Sequence, residues 1–409
     1  MSRFGLALAP AAALIVTLSL AGCSADVPII ATPSPSPTYA PTGDGVLRIG
    51  TLLPPAAVAQ VAAVEVAVRE INEQGGVNGV PVELFHRTSG DPASDAAVTS
   101  FTALVELGVD VVIGPESADL AQRLVAASIA AEVPFISPSA SGLDGLDDSG
   151  LVFGTAVSGS AQGAALADAL AEAGAASVAY LASDDTVGAD GLASLTAALG
   201  DDVAVDFDAD FAAATTDFAS IASSAAKAKT DAVVVSAATA EQAVGLLSAL
   251  STAGVDGSSI WLDARTTLDY AATVAPGALD GATGLIAGAA IDDAFALRLR
   301  QADPAVSSYT FAAEAYDATI MAALAVVING DDGGAAISRH LRSISTGGIP
   351  CASFGECLSV LDTEPDIDYT GRSGPVDLAE TGDAASGAFT IVTYAASNSF
   401  APTRTVTAG

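Results

Sequence analysis

An α/β fold built on parallel sheets is predicted by two features of this chain. Short β-branched, apolar runs recur along it, and longer Ala-rich stretches with helical spacing separate them. A third feature, the number of such runs, exceeds what one compact sheet of this length would hold. It predicts two lobes with parallel sheets, packed with a cleft between them because no long linker parts them.

The N-terminus does not belong to that body. Met1-Ser2-Arg3 gives a short positive start, residues 4–21 are apolar apart from Thr17 and Ser19, and Leu20-Ala21-Gly22-Cys23 closes the run with small residues and a cysteine. This is the layout of a secretory signal peptide over residues 1–22, too short and too broken by Pro10 for a membrane span. The ending resembles the lipobox of bacterial lipoproteins, which implies acylation of Cys23 and anchorage to the outer face of the cell membrane. Residues 23–45 are rich in Pro, Ser and Thr and cannot bury a core. Fully extended, such a tether reaches on the order of 60 Å at about 3.1 Å per residue.

From Val46 the alternation begins. Residues 47–52 read as a first strand; Val58, Val61, Val64, Val68 and Ile71 then recur at helical spacing until Gly75-Gly76 stops the helix. Further short, buried parallel strands are expected at 82–86, 109–113, 134–137, 178–181, 232–236, 260–262 and 285–287.

Composition narrows the function. With 48 acidic against 14 basic residues the formal net charge is −34, which speaks against nucleic-acid binding because a phosphate backbone would be repelled. With Cys23 lipidated, Cys351 and Cys357 remain as an even pair in GGIPCASFGEC. Outside the cytoplasm a disulfide is expected; as a metal site, two thiols without a nearby histidine offer too few ligands. No phosphate-binding Gly-rich loop ending in Lys and Ser/Thr, no His-Glu-x-x-His and no GxSxG occurs, and His86 and His340 read as a strand-end and a surface histidine. No catalytic residue, metal or cofactor is expected. Instead, Ser, Gly and Pro cluster just after strands: Gly114-Pro115-Glu116-Ser117 and Pro138-Ser139-Ala140-Ser141. Hydroxyls and free amides at helix starts suit an anionic or polar ligand head, and equally suit plain capping and turn chemistry.

These segments, with others, resemble the leucine/isoleucine/valine-binding-protein-like group of periplasmic binding proteins, the solute receptors of ABC importers. The resemblance rests on Ile49-Gly50-Thr51-Leu52-Leu53-Pro54, Ala67-Val68-Arg69-Glu70-Ile71-Asn72 with Gly75-Gly76-Val77-Asn78-Gly79, Val112-Ile113-Gly114-Pro115, and Val133-Pro134-Phe135-Ile136-Ser137-Pro138-Ser139-Ala140. It continues through Thr216-Asp217-Phe218, Ala315-Tyr316-Asp317-Ala318 and Tyr369-Thr370-Gly371-Arg372-Ser373-Gly374-Pro375-Val376. It implies two Rossmann-like lobes that close on a small solute in an interlobe ligand cleft, joined by three hinge crossovers near residues 153–156, 284–287 and 365–371. Lobe 1 would then comprise 46–155 and 286–365, and lobe 2 would comprise 156–285 and 366–409. It also implies a carboxylate-binding side formed by Ser117, Ser139, Ala140 and Ser141, with Asp185, Thr239 and either Asp263 or Arg265 contributed by lobe 2.

Departures from the family pattern bear on the ligand. The loop after Pro54 is short, Ala118 stands where a second pocket serine is usual, and Val187 and a small residue near Thr239 replace lining tyrosines. Arg265 would select a second anionic or carbonyl group if it faces the cleft; alternatively it is a surface residue paired with Asp263 or Asp269. The expected function is a monomeric, lipid-anchored, extracytoplasmic receptor that binds a small polar solute (amino acid, amide or carboxylate-like) and delivers it to an ABC permease. The alternative is an envelope sensor or interaction lipoprotein with a degenerate pocket.

Overall fold

The computed structural model describes residues 41–408 apart from 92, 141, 144, 147, 158, 201 and 307; of Ser160 and Thr186 only the backbone is described. The signal peptide, Cys23, most of the tether and Ser141 lie outside the described residues.

The chain first alternates β1 (Arg48–Leu53), α1 (Val58–Glu73), β2 (Glu83–Thr88), α2 (Ala96–Glu106), β3 (Val111–Ile113), α3 (Ala118–Ala131), β4 (Phe135–Ser137) and β5 (Val152–Gly154). All five strands are parallel and lie in the order β2-β1-β3-β4-β5. β3 and β4 are buried throughout, as strands covered on both faces must be, whereas β2 is an exposed edge strand rather than the buried one expected at 82–86. Phe101, Leu104, Leu124 and Phe135 fill one face under α2 and α3.

The second alternation runs α4 (Gly159–Glu172), β6 (Ser177–Ser183), α5 (Thr186–Ala198), β7 (Ala204–Phe211), α6 (Ala219–Ala228), β8 (Ala232–Ser236), α7 (Ala240–Thr252), β9 (Ile260–Leu262) and β10 (Thr283–Ala287). Its sheet order is β15-β14-β10-β9-β8-β6-β7. The parallel part therefore repeats the strand order of the first lobe. Each sheet has one place where neighbouring strands send their following segments to opposite faces, between β1 and β3 and between β6 and β8. Open α/β sheets bind ligands in the crevice formed there.

After β10 the chain returns to the first lobe as α8 (Asp293–Ala302), α9 (Ala312–Asn329), α10 (Gly334–Leu341), β11 (Ile349–Cys351), α11 (Phe354–Leu361), β12 (Ile367–Gly371) and β13 (Gly374–Pro375). It then closes the second sheet with the antiparallel hairpin β14 (Gly387–Tyr394) and β15 (Phe400–Ala408). α9 is long and apolar enough to cross a membrane, but 83% of it is buried inside the fold. It packs with α1 on the remaining face of the first sheet, where a helix apolar on all sides belongs. Cys351 and Cys357 are joined by a disulfide that fastens β11 to α11.

The third crossover lies later than the resemblance implied. Ile367, Tyr369, Val376, Leu378 and Ala384 all pack in the first-lobe core, so residues 366–384 belong with lobe 1 and the chain leaves it just before Gly387. The cause is Asp317 of α9. Its fully buried carboxylate accepts hydrogen bonds from the Tyr369 hydroxyl (2.8 Å), the amides of Arg372 (2.9 Å) and Ser373 (2.7 Å), and the Ser373 hydroxyl (2.5 Å), binding the β12–β13 turn to the first lobe.

Candidate functional site

β5 and β10 each run straight into a crossover, so the carboxyl edges of both parallel sheets border the junction of the lobes. The expected ligand residues lie along these two edges.

In the first lobe β3 ends at Ile113 and the chain turns at Gly114, with φ +126° and no room for a Cβ, which would overlap the carbonyl of Leu52. The peptide bond to Pro115 is cis. The buried Ser137 hydroxyl donates to the Pro115 carbonyl (2.6 Å) and accepts from the amide of Ala140 (2.9 Å). Ser139 donates its hydroxyl to the Glu116 carbonyl (3.2 Å). The loops after β3 and β4 are thus laced together, and Ser139 and Ala140 contribute to the lacing. Ser117 differs. It sits in extended conformation at the start of α3, half-buried, and its hydroxyl makes no capping bond, leaving it and the helix N-terminus open to a ligand. Beside it Glu116 accepts from Ser89 (3.0 Å) through one carboxyl oxygen, while the other is buried without a hydrogen-bond partner.

In the second lobe the arrangement centres on Arg265. One guanidinium nitrogen donates to both carboxyl oxygens of Asp185 (3.1 and 3.0 Å), Nε donates to the Ser236 hydroxyl (3.0 Å), and the other terminal nitrogen donates to the Ser236 carbonyl (3.0 Å). Asp185 follows β6 and Ser236 ends β8, so Arg265 lies across the place where this sheet's connections diverge. Asp185 also caps α5, accepting from the Gly188 amide at 2.7 Å. A Cβ at Gly188 would overlap the Ser183 carbonyl and would also come within 3.3 Å of the Arg265 guanidinium.

Asp263 lies beneath, only 2% exposed, accepting from the Ser236 hydroxyl (2.6 Å) and the Thr266 amide (2.9 Å), with Arg265 at 3.5 Å. Burial pushes its carboxyl above the ordinary range, and Ser236, Thr266 and Arg265 oppose that shift. Arg265 is therefore the residue at the surface and Asp263 supports it from below. Its carboxylate partners are Asp185 and Asp263; Asp269 instead accepts from the amide of Ala271. Thr239 caps α7 by accepting from the Gln242 amide (3.2 Å) and is otherwise exposed, as is Val187. The pairing of Asp185 with Arg265, separated by 80 residues, carries no local sequence signal.

Elsewhere, a groove of about 700 Å3 runs between α6 and α7 on the second lobe and is lined by Asp217, Phe218 and Lys227 among others. A smaller cavity of about 160 Å3 is lined by Ala56, Gln60, Ser308 and Thr310 beside the loop after β1. Neither is lined by the residues expected to hold a ligand. Among the described residues no group of three or more His, Cys, Asp or Glu side chains is placed to hold a metal ion.

A protein-family profile described as periplasmic binding protein matches residues 52–356. Among solved structures the chain is similar to the branched-chain amino acid transporter substrate-binding protein LivJ of Streptococcus pneumoniae in complex with isoleucine, at 20% identity over 88% of this chain and 99% of that one, with a TM-score of 0.67. It is also similar to an ABC transporter substrate-binding protein of Sphaerobacter thermophilus (18% identity, 88% and 98% covered, TM-score 0.68). A solute-binding protein of R. palustris in complex with benzoate gives 18% identity, 88% and 96% covered, and a TM-score of 0.62. At these identities the likeness carries the fold. No curated protein matches.

Proposed function

Since this chain belongs to the periplasmic binding protein family, we propose that it is the extracytoplasmic receptor of an ABC importer, binding a small polar solute between its lobes and handing it to a membrane permease. The observation that carries this reading is the matched pair of sheet edges. One offers the unbonded Ser117 hydroxyl at the start of α3, and the other offers the Asp185–Arg265 pair. Isoleucine, leucine and benzoate, held by structural neighbours, share a carboxylate, which suits a hydroxyl beside a helix N-terminus. With Asp185 and Asp263 both against it, Arg265 is compensated, so the second lobe favours a neutral or ammonium-bearing end over a second anion. Binding would draw the lobes together, because only the closed form lets both contribute contacts. Acylation of Cys23 would hold the monomeric receptor at the outer face of the membrane.

The test is a thermal-shift screen against branched-chain and other amino acids, amides, and aliphatic and aromatic carboxylates. A solute present at 100 times its dissociation constant stabilises the fold by about 2.7 kcal/mol, enough to raise the midpoint visibly. A second reading, an envelope sensor with a degenerate pocket, draws support from the internal use of Ser139 and Ala140 and from the short loop after Pro54. A silent screen favours it.

A further inference from the structure

Glu314 stands at the meeting point of two crossovers. It lies in the first turn of α9, in lobe 1, and its backbone carbonyl accepts the Thr155 hydroxyl (3.0 Å) of the crossover that follows β5. Its carboxyl group packs against Gly288, in the crossover that follows β10. Gly288 has φ +90°, and a Cβ there would overlap Oε1. The side chain is 1% exposed, and Oε1 has no hydrogen-bond partner. A buried carboxyl oxygen without a donor is costly as a charge and tolerable as a neutral acid.

We propose that Glu314 makes the hinge proton-linked: the packed arrangement of the two crossovers holds the carboxyl neutral, and any movement that parts Gly288 from α9 wets it and releases the proton. Burial raises this carboxyl to about 8. A hydrogen bond from its own backbone amide opposes the shift, and Asp317, three residues along the same helix, raises it further. The facing residues of the crossovers, Thr155 and Gly288, do not titrate, and neither do Ala388 and Thr390 of β14, which hydrogen-bond the backbone of Gly288. Once wetted, a glutamate titrates at about 4.3. Between that value and about 8, each rise of one pH unit shifts the ratio of packed to parted crossovers by up to about tenfold towards parted.

The consequence for solute release rests on the receptor reading: solute that favours the packed arrangement would be held more tightly as pH falls. The experiment needs no solute, so its failure and the failure of that reading are separate events. Amide hydrogen exchange of the full chain is followed at residues 153–157 and 286–290 from pH 5 to 9, as protection factors corrected for the intrinsic pH dependence. Protection should fall by up to about tenfold per unit and level off above pH 8, while Glu314→Gln holds it flat. A flat wild-type profile, or the same fall in Glu314→Gln, overturns the proposal. Gly288→Ala, which pushes the carboxyl out of its seat, provides a second reading should the glutamine variant not fold. The fall should then end at a lower pH, and an unchanged profile overturns the proposal equally.

Discussion

Arg265 faces Asp185 with one nitrogen set between both carboxyl oxygens, at 3.1 and 3.0 Å, and so ties the segment after β9 to the start of α5. The guanidinium also lies over Asp263, whose carboxylate is almost wholly buried. Its first duty is to hold this edge of the second lobe in shape. A ligand bound at this edge, as proposed, would meet an arginine already compensated rather than a free cation.

Arg265→Met should accordingly lower the unfolding free energy by about 2 kcal/mol, because Asp263 then keeps its burial and loses its cation. Asp185→Asn, which retains the α5 cap and removes a partly exposed ion pair, should cost at most about 1 kcal/mol. Urea unfolding measures both. Equal losses would show that Asp263 does not depend on the guanidinium.

Asp317→Ala should be more damaging, at about 3–5 kcal/mol, since it strands four donors of Tyr369, Arg372 and Ser373 at once, three of them buried. Proteolysis should then cut selectively within the loosened β12–β13 turn. A variant as stable as wild type would mean that the turn is held by packing alone.

The main architecture was legible in the sequence because buried parallel strands such as residues 232–236 are short apolar runs whatever surrounds them. Edge elements were less so. β7, Ala-Val-Asp-Phe-Asp-Ala-Asp-Phe, alternates with period two and is half exposed, a pattern that a search for apolar runs passes over, and the β14–β15 hairpin lies beyond the βα alternation. The candidate site was legible as a set of loops: Ser117, Asp185, Asp263 and Arg265 all fall at strand ends. How they combine was not, because the contacts of Arg265 with Asp185 and Asp263 depend on the neighbouring order of β6, β8 and β9.

Stability should fall as pH rises from about 4 to about 7, in part through Asp110. Burial raises its carboxyl to about 7; the Arg48 amide, which it accepts at 2.8 Å, opposes the shift and Asp332 adds to it. A raised acid is neutral in the fold and ionised in the unfolded chain, so its stabilising contribution is complete below the unfolded value and is lost as pH climbs through about 7. Asp110→Asn should remove a slope of up to about 1.4 kcal/mol per pH unit over that window. Parallel stability profiles for variant and wild type would contradict this assignment.

The most direct test of the receptor account is a calorimetric titration of the best-stabilising solute from the screen into wild type, Ser117→Ala and Asp185→Asn. Ser117 is at the first sheet's edge and Asp185 at the second's, so a solute bridging the lobes should lose roughly tenfold or more in affinity with each change, at about 1.4 kcal/mol per factor of ten. Undiminished binding in both variants would place the solute elsewhere and contradict the account.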